Sequence, residues 1–160
     1  MTQIYLKLEI EGTRIEGESS VRLQGREDTI ECSSFVWGAQ APFDPATGER
    51  SGKTEHTAVE IEKRIDKSTP LLIKAFCNNQ PVDLAEFMFF RTEKDGTEEK
   101  FYAVRLTGGH ISSVTQIRQE RIVAGDASPP MTEKVAFVFK EIEWKYEIDG
   151  GTYADSWASQ

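Results

Sequence analysis

The chain has 160 residues, with 27 acidic against 19 basic side chains and a formal net charge of −8. That balance excludes a phosphate-tracking nucleic-acid surface, which needs clustered Lys and Arg, and an anionic membrane surface for the same reason. The length predicts one domain over residues 1–160, with nine Phe, four Tyr and three Trp for its core, yet at a radius of gyration of about 15 Å such a domain cannot enclose a wide channel alone.

Ile4, Leu6, Leu8 and Ile10 alternate with Tyr5, Lys7, Glu9 and Glu11, which predicts a strand starting almost at the first residue. No basic, apolar leader precedes it and no run approaches a membrane span, so synthesis and folding in the cytoplasm are expected. Gly12–Gln24 reads as a connection holding a short strand, and Thr29–Trp37 as a second long one. Residues 38–53 hold five of the eighteen Gly and Pro and read as an extended loop. Strand character returns at Thr54–Ile65, with Thr57, Val59 and Ile61 on one face and His56, Glu60 and Glu62 on the other, exposed face.

One helix is expected over about 69–78, with Thr69 as N-cap, Pro70 in the first turn, an apolar stripe of Leu71, Leu72, Ala75 and Phe76, and Asn78 or Asn79 at its left-handed end. Leu84–Thr92 and Glu98–Thr107 read as a hairpin around a two-residue Asp95-Gly96 turn. Gly108-Gly109 punctuates the chain before a bent or bulged strand at His110–Val123, and Gly125–Pro130 is a further loop. In the last long strand Val135, Phe137 and Phe139 are in phase, then Ile142, Trp144, Tyr146 and Ile148; that slip predicts a β-bulge near Lys140-Glu141. A short edge segment follows through Trp157. The fold class is mainly β: an antiparallel barrel or sandwich of about 7–9 strands with one short flanking helix.

Little of the sequence points to catalysis. His56 and His110 are the only histidines, and neither has a partner at triad or metal-ligand spacing. Cys32 and Cys77 are expected to be buried free thiols. The Gly48–Thr54 stretch mimics a phosphate loop but has three residues, not four, between its glycines, and a strand follows it. Asp66-Lys67-Ser68 reads as a helix entry rich in capping groups rather than a Lys/Ser dyad. No catalytic residue, metal or cofactor is expected.

Arg64-Ile65-Asp66-Lys67-Ser68-Thr69-Pro70-Leu71-Leu72-Ile73-Lys74-Ala75 resembles the strand-to-helix signature of the Hcp family, the hemolysin-coregulated proteins of bacterial type VI secretion. Tyr5-Leu6-Lys7, Ile15-Glu16-Gly17-Glu18-Ser19, Phe35-Val36-Trp37, Ile111-Ser112-Ser113-Val114, Glu133-Lys134-Val135, Ile142 through Tyr146 and Asp155-Ser156-Trp157 resemble further family segments in the family's order. The resemblance implies a β-barrel protomer with a flanking helix that forms homohexameric rings. Such rings stack into the inner tube of a contractile apparatus, carry and chaperone small effectors in the lumen, and leave the cell without a signal peptide. It also implies contacts with effectors and with spike and sheath components, and none with nucleic acid or the membrane interior. Without a C-terminal toxin domain, the chain should be the plain tube component. The loop Ala39–Lys53 corresponds to the family's extended loop, which packs on the next ring. There Phe43, between Pro42 and Asp44-Pro45, is a candidate apolar anchor, and Arg50 and Lys53 are candidates to meet acidic surface on a neighbouring ring. A phage-type tail-tube subunit, a monomeric small-molecule-binding barrel and a hydrolase are the alternatives.

Overall fold

The computed structural model describes residues 2–119 and 130–158. In chain order its elements are β1 (Thr2–Ile10), β2 (Thr13–Ile15), β3 (Ile30–Val36), β4 (Ala39–Gln40), β5 (Glu55–His56), β6 (Val59–Arg64), α1 (Thr69–Cys77), β7 (Val82–Thr92), β8 (Glu98–Ile117), β9 (Thr132–Val138), β10 (Glu141–Tyr146) and β11 (Gly151–Ser156). The expected loop at 125–130 lies outside the described residues except for Pro130, as do the last four residues of the expected 110–123 strand.

Pairing runs β8-β7-β1-β3-β6-β9 and returns to β8, so six antiparallel strands close into a barrel. Strand β2 adds to β1, and β10 with β11 extends the sheet from the first half of β8, giving nine strands in one sheet, as the sequence led us to expect. The 20-residue β8 makes this possible: Tyr102–Thr107 pair with β10, and His110–Ile117 pair with β9.

Gly108-Gly109 does not break this strand; it turns it. Val104 and Leu106 face inward before the pair, Gly109 and Ile111 after it, while across the seam Phe137 and Phe139 give way to Ile142. Both chains change parity together, so the pairing Thr107↔Glu141 and His110↔Val138 keeps one register across the gap. The expected bulge at Lys140-Glu141 is therefore a paired kink, and the true register shift lies in β8 between Ile111 and Ser113. Only glycine fits: a Cβ on Gly109 would lie 2.1 Å from the Val138 carbonyl oxygen, and Gly108 has φ +64°.

Side chains fill the barrel. Leu6, Leu8, Ile30, Ile61, Phe87 and Val135 are fully buried. At about 25 cal/mol per Å² of apolar surface, each contributes on the order of 2 kcal/mol. A second small cluster, Tyr5, Met88 and Phe90, sits on the outer face. The buried Arg26 guanidinium covers it, 4.1 Å above the Phe90 ring, and pairs with Glu98 at 2.6 Å.

The helix packs on β8, but through a narrower stripe than expected: Thr69, Leu72 and Ala75 are buried, whereas Leu71 and Phe76 stay 43% and 41% exposed. Its N-cap is Ser68, not Thr69, and Ser68 makes no side-chain cap. The Asp66 carboxylate instead accepts the Ser68 N–H at 2.9 Å, which turns the chain into the helix. Asn79, with φ 48°, ends it as expected.

In the β7–β8 hairpin only Gly96 takes positive φ, and the connection spans Glu93–Thr97 rather than two residues, closed by Glu93 N–H to Thr97 O at 2.7 Å. Both cysteines are free thiols, but only Cys32 is shielded; Cys77, the last helical residue, is exposed, contrary to expectation.

Candidate assembly surface

The stretch 38–53 is not structureless. It forms an arm that leaves the barrel where β3 ends and β6 begins. Gly38 and Thr57 exchange backbone and hydroxyl hydrogen bonds at its root, β4 pairs with β5 beyond them, and Phe43 bridges Arg50 further out. At the tip, the Asp44 carboxylate accepts the Ala46 N–H at 2.8 Å and the Asp44 carbonyl accepts the Gly48 N–H at 2.8 Å. Asp44 and Pro45 therefore shape the turn. Arg50 donates to the Gly52 carbonyl at 2.9 Å and to the Thr54 hydroxyl. Lys53 is exposed, and Phe43 is 58% exposed, an aromatic that its own chain leaves largely uncovered.

The arm's root is clamped by aromatic rings. The His56 side chain is 1% exposed, with Nε2 2.9 Å from Asp155 Oδ2 in β11. Its ring lies near-parallel to Trp144 and Trp157 at 6.5 and 6.2 Å and meets Phe139 edge-on. Trp37 packs against Trp144 at 5.0 Å. The expectation that His56 is exposed fails because Thr57-Ala58 separate β5 from β6, so β6's alternation does not extend to it. Thr57 is correspondingly exposed rather than inward. His110 lies in β8 beside an open apolar cleft with Phe139 and Trp157.

Where β3 begins and β6 ends, the segment Ile65–Pro70 builds a buried charge cluster. Lys63 is fully buried; its ammonium donates to Glu133 at 2.8 Å, to the Arg64 carbonyl at 2.9 Å, to Asp66 at 3.0 Å and to Thr69 at 3.3 Å. Thr69 in turn donates to Glu133 at 3.1 Å and accepts the Asp66 N–H at 3.0 Å. The Ser68 hydroxyl bonds Asp66, while Lys67 points outward to Glu16 at 3.5 Å. Sequence reasoning missed Lys63 and Glu133, although the signal is there: Lys63 continues the inward phase of Val59 and Ile61, Glu133 that of Val135 and Phe137, and the two are paired in register.

Beside this cluster opens a cleft of about 490 Å³, with Glu18, Glu31, Arg64 and Asp66 around Ile65 and Cys32. Burial, with Asp66 and Glu31 nearby, pushes the Cys32 thiol up to about 12 despite the opposing charge of Lys63. It is therefore a poor nucleophile. Among the described residues no group of three His, Cys, Asp or Glu side chains is placed to hold a metal, and no helix is long and apolar enough to cross a membrane.

A closed six-strand barrel, a short helix and a projecting arm narrow the relatives to be considered, and a family model described as the type VI secretion system effector Hcp matches residues 5–146. The chain belongs to the Hcp family. It is 29% identical over 136 residues to the Major exported protein of Pseudomonas aeruginosa, covering 85% of this chain and 79% of that one. A doubly substituted Hcp1 from Escherichia coli EAEC 042 superposes with a TM-score of 0.83 at 28% identity, over 97% of this chain and 98% of that one. Another Hcp crystal structure shares the fold at TM-score 0.88 and 21% identity, with both chains fully covered. Residues Ile65, Asp66, Lys67, Ser68, Thr69 and Pro70 form the entry to the helix of this fold.

Proposed function

We propose that this Hcp chain is a structural subunit of the type VI secretion inner tube. Six copies form a ring, rings stack, and the lumen carries and chaperones small effectors; the subunit is made in the bacterial cytoplasm and exported through the apparatus, meeting spike and sheath components on the way. The observation that carries this reading is the arm: a paired ribbon anchored at its root that offers Phe43, 58% exposed, to something outside its own chain. An aromatic held out on a rigid support is what a recurring contact between copies requires. The name of the P. aeruginosa relative, Major exported protein, supports export. A small-molecule barrel is disfavoured by an interior packed with Leu6, Leu8, Phe87 and Phe137. A hydrolase resting on Asp66 is disfavoured because that carboxylate is held by the Lys63 ammonium and the Ser68 N–H and hydroxyl.

Native mass spectrometry and negative-stain microscopy of the purified chain should show hexameric rings. Deleting residues 41–51 should leave the rings and shorten or abolish stacks. A strictly monomeric species at micromolar concentration would overturn the ring reading, and undiminished tubes from the deletion would overturn the arm's role.

A further inference from the structure

Two features face away from each other along one strand pair. The arm leaves at the Val36↔Glu60 end of β3 and β6, whereas the cleft lies around Glu31–Ser33 and Arg64–Asp66, at the Cys32↔Lys63 end. Cys32 and Val36 are four residues apart, about 13 Å of strand. One end of the pair therefore projects a ribbon and the other presents a recess. This is the arrangement of a heterologous contact, in which copies repeat head to tail.

The two surfaces also match chemically. The cleft holds three carboxylates, Glu18, Glu31 and Asp66, against Arg64 on its lining, with Ile65 as an apolar wall, 36% exposed. Met131, 42% exposed, lies beside that wall, its carbonyl accepting the Ile65 N–H at 3.3 Å. Asp66 is committed to Lys63 and Ser68, and one Glu31 oxygen to the Ser20 N–H and hydroxyl, so both are fixed in place. Glu18 is exposed, with no ion pair or side-chain hydrogen bond among the described residues. On the arm, the Asp44 carboxylate is spent on its own turn, Glu55 accepts from Gln40, and Arg50 is held by Gly52 and Thr54. Glu49 is the remaining exposed carboxylate, and Lys53 is the exposed cation of the arm without a partner among the described residues.

We propose that the cleft is the receptor for the arm of a second copy of this chain, with Phe43 against Ile65 and Met131 and Lys53 among the Glu18 and Glu31 carboxylates. This rests on the reading that rings stack through the arm, and it gives that contact its receiving surface. It also gives the helix-entry signature a purpose: the buried Lys63–Asp66–Glu133 cluster holds the rim of the recess rigid.

The test is a charge swap in the full-length protein. Lys53→Glu and Glu18→Lys change exposed side chains, so rings, judged by native mass spectrometry, should persist. Each single variant should need about tenfold more protein than wild type to form stacks in negative stain, and the double variant should recover most of that loss, because truncating or reversing one member of a charge pair harms only while the other is unchanged. Singles that stack as wild type does, a double variant no better than its worse parent, or wild-type rings that never stack would overturn the proposal. Failure of the wild-type chain to form rings at all is a separate result, which overturns the tube reading beneath it.

Discussion

Replacing Lys63 by Met probes the buried cluster directly. The thioether fills much of the same volume but removes the ammonium that donates to Glu133, Asp66, Thr69 and the Arg64 carbonyl. Glu133, fully buried, would keep only the Thr69 hydroxyl on Oε1, while Oε2 already lacks a hydrogen-bond partner among the described residues. Removing one member of a buried ion pair costs about 3–5 kcal/mol, most of it the stranded charge. For a domain of this size that is a fall in Tm of about 10 °C, or a lower urea midpoint at unchanged slope. Adding Glu133→Leu removes the stranded carboxylate, and the double variant should regain more than half of the loss. Protein concentration must be held fixed, since the proposed ring formation would add its own stabilisation. A single variant within about 1 kcal/mol of wild type, or a double variant no more stable than the single, would refute the account of the cluster as a mutually dependent unit.

Two further outcomes follow from the side-chain environments. With a thiol reagent at about pH 8, the folded protein should titrate one fast cysteine, the exposed Cys77, and the denatured protein two, because Cys32 is shielded and its thiol is pushed up to about 12; two fast thiols in the folded state would contradict the placement of Cys32. Burial alone would raise the Glu86 carboxyl, but the Arg105 hydrogen bond and the charges of Lys100, Arg105 and Lys7 leave it below its ordinary 4.5. A carboxylate lowered in the folded state stabilises above the ordinary value and ceases to as pH falls through the folded one. Urea midpoints should therefore show Arg105→Ala costing more at about pH 7 than at about pH 3, and an equal cost at both would refute the coupling.

Much of the barrel was legible because alternation is a local property. Ile4, Leu6, Leu8 and Ile10 sit in one short window, and so do the residues of the β7–β8 hairpin. What failed needed information from elsewhere in the chain. His56 was extrapolated across a break between strands, and its neighbours Phe139, Trp144 and Asp155 come from the far end of the chain, Asp155 from 99 residues away. The slip after Phe139 was visible, but its meaning depended on an equal slip around Gly108-Gly109, which only the pairing reveals. The stripe on α1 was overcounted because apolar spacing does not tell how much of a helix its neighbour covers, and Leu71 and Phe76 lie outside that footprint. The cluster at Lys63 was legible in principle, since two opposite charges occupy inward positions at in-register ends of two strands. The cleft beside it was not, because it is assembled from three separate segments.

Strand β9 closes the barrel by pairing with β6 on one side and the far half of β8 on the other. A nascent chain that has emerged only as far as β8 therefore carries two open seams and no means of joining them. Completion waits on Thr132–Val138, and the same strand brings Glu133 to Lys63. The rim of the cleft is thus finished in the step that seals the barrel, so on the proposed docking a partly made subunit would have no complete surface to offer another copy. On the proposed docking, the order of synthesis would hold assembly back until folding is done.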